Sequence, residues 1–450
     1  MENVRVIKKI LIANRGEIAC RIIRTARQMG IATVAIYAES DINAPFVKEA
    51  DAAIGLTGQT PGETYLDTDQ VLRACKTSGA DALHPGYGFL SENTGFARVI
   101  EDNGITFIGP SVTAIDKMGD KLSAKKIMTE AGVPTLPAIE LSADADVSAA
   151  AEKIGYPVLV KATAGGGGRG MRVVDSVDQL ADAVASAKRE AGAAFGNDTL
   201  FLERWLTSSR HVEIQILGDQ QGNVVHCFER ECSIQRRHQK IIEEAPSPAV
   251  TAELRQAMGA AAVSAAQSLG YYSTGTVEFL LDGDEFWFLE VNTRLQVEHP
   301  VTEEITGIDL VREQIRVAEG ATLSFNQSEL TFKGHAIEAR LYAENPENNF
   351  LPSPGTVVAW KPSSSGNARF DSGIESGSII STQFDPMIAK VIVHAQTRQE
   401  AIIRLARALE TTRIQGLVTN RDFLVSTLRT AEFLAGDTTT DFIDRVNPDR

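Results

Sequence analysis

The sequence predicts a multidomain chain that combines α/β and α+β architecture, and three observations carry that reading. The first hundred residues alternate strand and helix patterns, a glycine cluster separates two strand patterns near the middle, and the last quarter turns β-rich before closing on helices. With 450 residues there is room for two to four domains or subdomains. An apolar content of 43% and a charged content of 23% are those of an ordinary globular protein. The net charge of −15 argues against a nucleic-acid or anionic-membrane partner, and no apolar stretch is long enough to span a bilayer. The first strand pattern starts about six residues after Met1, too close for a signal or transit peptide, so the cytoplasm is the expected compartment. Cys20, Cys75, Cys227 and Cys232 form no Cys-x-x-Cys pair and read as buried thiols in a reducing cytosol.

"KKILIAN" (8–14) reads as a buried strand, "GEIACRIIRTARQMG" as an amphipathic helix ending at Gly30, and "ATVAIYA" as a second strand followed by Glu39. This βαβ unit predicts a Rossmann-like N-terminal domain; the single glycine of "NRGEIA" argues against dinucleotide binding. "HPGYGFLSEN" (84–93) is a tight loop presenting the ring of Tyr87. A second α/β stretch runs through "GDKLSAKKIMTEAG", "YPVLVKATAGGGGRGMRVV", the helical "VDQLADAVASAKREAG" and the strand "TLFLERWL". "RHVEIQILGD" and "GTVEFLLDGDEFWFLEV" read as strands joined by Gly/Asp turns. From about Lys333 the pattern is β-rich through "HAIEARLYA", with a surface loop at 361–367. It ends in two helices, "RQEAIIRLARALE" and "NRDFLVSTLRTAEFLAG".

Gly165 to Gly168, with Arg169 and Gly170, lie between two strand patterns too closely joined for a linker. Glycines there let backbone N–H groups close on a phosphate and let the hairpin tip move as a lid, with Lys161 supplying a charge. Farther on, a three-residue turn Asp282–Asp284 would set Glu278 against Phe288 and Thr276 against Glu290. Glu278 and Glu290 would then lie diagonally, roughly 7 Å apart, and with Asn292 would form an all-oxygen site suited to Mg²⁺. A two-residue turn would separate the acids, and an ordinary charged hairpin stays open. In "EVNTRLQVE", Glu290, Asn292, Arg294, Gln296 and Glu298 alternate. A straight strand of that length spans about 26 Å, so a bend after Asn292 or Arg294 is expected, leaving Arg294, Gln296 and Glu298 to meet a small planar oxyanion. "ECSIQRRHQKIIEEAP" concentrates cations, of which Gln235, His238 and Lys240 are the expected members of a clamp. Spacing alone leaves Arg340 open to a surface position.

"IANRGEIACRI", "HPGYGFLSEN", "MGDK", "KATAGGGGRGMR", "RHVEIQ", "CSIQRRHQK", "EVNTRLQVEHPVTE" and "LPSPG" occur in the order of the biotin carboxylase family, which the chain resembles over nearly its whole length. The resemblance implies a Rossmann-like domain (1–115), an ATP-grasp region (116–330) with a mobile lid at about 135–205, and a β-rich C-terminal domain (331–450). It implies that Lys121, Lys161, Gly167, Gly168, His211, Gln235 and His238 bind ATP, with the connector Glu203, Arg204, Trp205 and Leu206 at the adenine. Glu278, Glu290 and Asn292 would hold a pair of Mg²⁺ or Mn²⁺ ions. Arg294, Gln296 and the Val297 backbone would cradle bicarbonate, with Glu298 as its base and Lys240 steadying carboxyphosphate. Arg340 and Tyr87 would meet biotin. The implied activity is ATP-dependent carboxylation of carrier-bound biotin. Another ATP-grasp carboxylate–amine ligase and a catalytically silent ATP-binding subunit are the alternatives. No methionine is followed by lysine, so the Met-Lys-Met of a biotin attachment site is absent. The expected partners are therefore a separate or covalently continuous biotin carrier and a carboxyltransferase, together with a second copy in a homodimer.

Overall fold

The computed structural model describes residues 5–141, 146–163, 171–237 and 239–448. The glycine cluster, with Gly165 to Gly168, Arg169 and Gly170, lies outside the described residues, as does His238. Apolar periodicity works as expected at the N-terminus. Ile10, Leu11 and Ile12 make a fully buried strand, Lys9–Ile12. The helix Gly16–Gln28 buries Ile18, Ala19, Ile22, Ile23 and Ala26 against it, and Gly30 ends the helix region at φ 74°. Five parallel strands form one sheet, in the order Ala52–Gly55, Ala32–Tyr37, Lys9–Ile12, Ala82–His84 and Thr106–Phe107. The first strand is flanked by strands reached in opposite directions, so the loops at its carboxyl end open a crevice. Asn14 closes that crevice from within, donating to the Pro85 and Tyr87 carbonyls at 2.8 and 2.7 Å. Glu17 and Tyr87 meet there.

A separate four-stranded sheet joins Ala138–Leu141, Leu200–Arg204, Val158–Ala162 and Arg172–Val174. It packs on the helices Val147–Ile154 and Val177–Phe195 around its own core of Val158, Val160, Leu180, Leu200 and Leu202. The two strands expected to flank the glycine cluster pair antiparallel, with Val158 opposite Val174.

The largest element is an eight-stranded antiparallel sheet. Its order is Glu285–Asn292, Ser273–Asp282, Arg210–Gly218, Val224–Arg236, Gln239–Ala245, His335–Tyr342, Met387–Ala395 and Arg369–Ser372. The ladder between Ile242 and Ala339 carries it from the central region into the β-rich end of the chain. Alternation sends Val212, Ile214, Ile216, Val277, Phe279 and Leu281 to one core. Charged and amide side chains from the same strands go to the opposite face.

Two local expectations are corrected and one open position is resolved. Asp282 pairs with Glu285, so the hairpin loop has two residues, Gly283 and Asp284, rather than three. The final helical pattern breaks at Thr430, whose backbone turns extended (ψ 147°) and whose hydroxyl caps a new helix, Ala431–Ala435, after Arg421–Arg429; a further helix, Phe442–Val446, follows. Arg340, which spacing left open, is buried, because His335–Tyr342 is an interior strand of the large sheet with neighbours on both sides. Among the described residues no helix is long and apolar enough to cross a membrane.

The C-terminal region closes against the first helix. A Cβ on Gly373 would stand 2.6 Å from the Glu17 backbone nitrogen and 2.7 Å from the Gly16 Cα, contacts that backbone atoms relieve only by moving. Gly373→Ala is therefore expected to lower stability by about 1–3 kcal/mol, seen as a reduced thermal midpoint. An unchanged midpoint would contradict this close approach.

All four cysteines are free and buried. Burial pushes the Cys75 and Cys227 thiols up to about 12, and Cys232 well above the ordinary thiol range. Ellman's reagent at pH 8 should find no fast-reacting thiol in the native protein and four after denaturation; rapid native labelling would refute the burial.

Candidate active site

The polar face of the large sheet is assembled by cross-strand register. Glu213 stands opposite Glu278 on one side and Arg230 on the other. Glu243 stands opposite Glu338, and Arg340 opposite Lys390. Two irregularities complete the set. Phe279 pairs with Phe288 but Glu278 pairs with Glu290, so Leu289 is skipped and the two acids come back to one face despite the two-residue loop. The expected diagonal placement is thus replaced by direct opposition, with Thr276 opposite Asn292. A second shift lies between Ile242, paired with Ile234, and Lys240, paired with Gln235; it brings Lys240 onto the face that carries Glu243.

The Lys240 ammonium contacts three buried carboxylates: Glu213 Oε2 at 2.7 Å, Glu278 Oε1 at 3.0 Å and Glu298 Oε1 at 2.8 Å. Each acid turns its other oxygen to a different partner. Glu213 Oε1 accepts from Arg230 at 2.5 Å, Glu278 Oε2 lies 2.5 Å from His211 Nε2, and Glu298 Oε2 accepts from Arg340 at 3.0 Å. Arg340 also binds Glu243 Oε1 at 2.6 Å through Nε. Burial raises the Glu298 carboxyl, but Lys240, Arg340 and Arg230 outweigh it and hold the group well below the usual carboxylate range. Glu243 has Arg340 as its main cation, and there burial wins, pushing it up to about 7.

The chain leaves its strand at Asn292, as the expected bend requires, and Glu298 ends up just before the helix His299–Thr306. Pro300 fits the first turn and Gly307, at φ 75°, closes the last. The Glu298 carboxylate makes no capping bond, so both its oxygens stay with Lys240 and Arg340. Arg294 spreads its fork between Gln296 Oε1 (2.6 Å) and Asn292 Oδ1 (2.9 Å), while its Nε donates to Glu92 at 2.8 Å. Glu92 belongs to the loop that also carries Tyr87, and it accepts the Thr293 N–H at 3.0 Å. Gln296 and Asn292 donate to Glu278 Oε1 at 2.8 and 2.7 Å. Glu278, the half-buried Glu290 and Asn292 together offer oxygen donors of the hard kind that suits Mg²⁺.

A second cationic cluster faces this one. Lys121 opens the helix Lys121–Glu130, and burial and the neighbouring Lys161 lower its proton affinity, partly offset by Glu290 and Glu203. Lys161 donates to Glu203 at 3.0 Å, and Lys125 takes the other oxygen of the same carboxylate. Trp205 is tied by its N–H to the Pro157 carbonyl, Leu206 is half-buried, and Arg204 points to solvent. His211 Nδ1 meets Gln235 Nε2 at 2.8 Å.

Most residues singled out from the sequence therefore converge: Lys240, Glu278, Glu290, Asn292, Arg294, Gln296, Val297, Glu298, Arg340, His211 and Gln235 on one face, Lys121, Lys161 and Glu203 beside it. Tyr87 is nearby, with its hydroxyl given to Glu17. Gly167, Gly168 and His238 lie outside the described residues. Sequence reasoning missed Glu213, Arg230, Glu243, Glu92, Glu17 and Lys390. The alternation His211–Glu213–Gln215 could have exposed the first; the others depend on partners far away in sequence.

Family descriptions tile the chain: "Biotin carboxylase, N-terminal domain" over residues 6–115, "Carbamoyl-phosphate synthase L chain, ATP binding domain" over 120–326 and "Biotin carboxylase C-terminal domain" over 338–445. Biotin carboxylase 2 of Bacillus subtilis is 49% identical over 97% of this chain and 98% of its own length. The mitochondrial methylcrotonoyl-CoA carboxylase subunit alpha of Oryza sativa subsp. japonica is 50% identical over 98% of this chain, which spans only 61% of that longer relative. Among solved structures, the biotin carboxylase domain dimer of Hydrogenobacter thermophilus 2-oxoglutarate carboxylase, in complex with MgADP, ADP and bicarbonate, matches at TM-score 0.95 with 45% identity over 98% of each chain. The Campylobacter jejuni biotin carboxylase complex with a β,γ-ATP ligand matches at TM-score 0.94 and 43% identity over 98% of this chain and 99% of that one. By its sequence and its three-part fold, the chain belongs to the biotin carboxylase family.

Proposed function

We propose that the chain carboxylates biotin with bicarbonate at the expense of ATP, giving ADP, phosphate and N-carboxybiotin, the first half-reaction of a biotin-dependent carboxylase. The observation that carries this reading is the Glu298 carboxylate clamped between Lys240 and Arg340 beside the Arg294–Gln296 fork. That arrangement joins an anion cradle, a base and an enolate-stabilising cation within one buried face.

Bicarbonate is a poor electrophile. Held by Arg294, Gln296 and the Val297 backbone, it gives its proton to Glu298 and attacks the γ-phosphorus of ATP. Lys240 steadies the resulting carboxyphosphate, absorbing charge as it develops. Carboxyphosphate decays to CO₂ and phosphate, and the phosphate removes the ureido proton of biotin. Arg340 balances the oxyanion so formed, and Tyr87 lies against the ring. The nucleotide would lie among Lys121, Lys161, Gly167, Gly168, His211, Gln235 and His238, with its adenine at the connector from Glu203 through Arg204 and Trp205 to Leu206. Glu278, Glu290 and Asn292 would hold Mg²⁺ or Mn²⁺, which neutralises phosphate charge when bound.

The same reading divides the chain at 1–115, 116–330 and 331–450, with the large sheet running on across the last boundary through the ladder between Ile242 and Ala339. It takes the biotin from a carrier protein or domain, hands the product to a carboxyltransferase, and pairs two copies as a homodimer. Four free buried cysteines fit a reducing compartment such as the cytoplasm.

ATP cleavage measured with and without bicarbonate, free biotin and holo-carrier tests the reading; cleavage indifferent to bicarbonate would refute it. Glu298→Gln should abolish bicarbonate-dependent cleavage, by about 10²–10⁴-fold, while nucleotide binding is retained. Near-normal turnover would remove Glu298 from the role of base.

Arg340→Ala should impair biotin carboxylation more than bicarbonate-dependent ATP cleavage, because the arginine acts after carboxyphosphate forms. Arg340 also lowers the proton affinity of Glu298, so its loss raises that affinity, and the acid limb of the residual ATPase should move to higher pH. Equal loss of both activities with an unmoved limb would assign Arg340 a different role.

A further inference from the structure

Lys390 has no part in the chemistry above, yet it stands in the same face. It projects from the strand Met387–Ala395 directly opposite Arg340 and is completely buried. A buried ammonium is costly unless fully engaged. Its Nζ donates to the Val297 carbonyl at 2.8 Å and lies 3.2 Å from Glu17 Oε1. That same Glu17 oxygen accepts the Tyr87 hydroxyl, and the ammonium is 6.0 Å from the centroid of the Tyr87 ring. Two further acids lie near it, and neither is hydrogen-bonded to it. Asp371, opposite on the next strand, is bound by Arg369 at 2.7 Å. Glu338 has no hydrogen bond to either oxygen among the described residues, and burial holds its carboxyl well above the usual range against the pull of Lys390.

The contacts of this one ammonium span the molecule. Glu17 and Tyr87 come from the parallel-sheet region, Val297 from the segment after the metal-site hairpin, and Lys390 from the β-rich end. The Val297 carbonyl belongs to the planar peptide that continues into Glu298, so fixing that oxygen fixes the backbone on which the base is mounted. The Glu17 carboxylate sets where the Tyr87 hydroxyl sits.

We propose that Lys390 is a positioning residue that couples the bicarbonate cradle to the biotin ring, fixing the Val297–Glu298 peptide on one side and, through Glu17, the Tyr87 hydroxyl on the other. The inference rests on the bicarbonate and biotin roles assigned under Proposed function. Small displacements of reacting groups cost large factors in rate, so loss of the coupling shows in substrate constants while nucleotide binding is spared.

Two variants test it. Glu17→Gln keeps the shape and leaves Lys390 on the Val297 carbonyl, so only the Tyr87 side is released. Lys390→Met combined with Glu17→Gln removes the ammonium together with the carboxylate it would otherwise strand. The single variant should raise KM for free biotin about tenfold with KM for bicarbonate within about twofold of native, and the double variant should raise both about tenfold or more. The nucleotide dissociation constant, measured without bicarbonate, should stay within about twofold in both. A double variant with native KM values would overturn the proposal. So would nucleotide affinity falling in step with the other constants, since that marks a general structural role. Should the double variant fail to fold, Glu17→Gln decides, and equal shifts in both KM values, or none, overturn the proposal. A native protein without bicarbonate-dependent ATP cleavage would instead bring down the assigned reaction itself, and the coupling with it.

Discussion

The Lys240 ammonium meets Glu213, Glu298 and Glu278 at 2.7, 2.8 and 3.0 Å, and all three acids are buried. Carboxylates gathered that closely repel one another, and a single cation cannot satisfy six oxygens. The face is stable because each acid gives one oxygen to Lys240 and the other to a partner of its own: Arg230, Arg340 or His211. Breaking one such buried pair by removing a partner typically costs about 3–5 kcal/mol, since the remaining charge is left uncompensated. The same arithmetic explains why the acids differ. Glu278 and Glu298 are pulled below the usual range by Lys240 and their further partners, whereas at Glu213 burial and the neighbouring Glu298 and Glu278 outweigh Arg230 and Lys240 and push the carboxyl up. Glu243, with Arg340 as its main cation, is pushed up to about 7.

That charge arrangement depends on two of the register shifts in the large sheet. Strict alternation would place Glu278 and Glu290 on opposite faces of a two-residue hairpin; skipping Leu289 brings them together. Strict alternation would likewise separate Lys240 from Glu243, and the shift beside Ile242 reunites them. Both irregularities lie next to the residues with the most to do, where a bulge re-aims a side chain at the cost of one ladder position. The backbone of Glu298 is handled by different means. Its carboxylate sits where a helix cap would, yet it makes no capping bond and gives both oxygens to Lys240 and Arg340.

What could be read from the chain follows the same division. Alternation and helical period gave the parallel βαβ start, the strands around the glycine cluster, the turn-linked antiparallel strands, and the line of Glu290, Asn292, Arg294, Gln296 and Glu298, because each is a local pattern. The bulge at Leu289 could not be read, since nothing in "GDEFWFLEV" distinguishes a skipped residue from a paired one, and a three-residue turn predicted nearly the right outcome for the wrong reason. Spacing left Arg340 open because its burial comes from Gln239–Ala245 on one side and Met387–Ala395 on the other, neither adjacent in sequence. Arg230 and Lys390 were invisible for the same reason: a lone cation in a strand declares itself only when its acid arrives from elsewhere. The break at Thr430 shows the reverse failure, a hydroxyl at a helix start hidden inside a continuous apolar pattern.

The depressed proton affinity of Glu298 bears directly on the role of base proposed for it. A carboxylate gripped by Lys240 and Arg340 is fully ionised at neutral pH but accepts a proton reluctantly. In the proposed reaction a second anion enters beside Arg294 and Gln296, adding negative charge within reach of the same cations. Each contact it draws from Lys240 or Arg340 is one that Glu298 gives up, and the added charge repels the carboxylate as well. Both effects raise the proton affinity of Glu298, so the base strengthens in response to the substrate it must deprotonate. Once the proton has moved, Glu298 is neutral and its hold on both cations weakens. In that proposal Lys240 keeps Glu213 and Glu278 and Arg340 keeps Glu243, so each cation turns one contact toward the reacting groups and stays anchored by the rest.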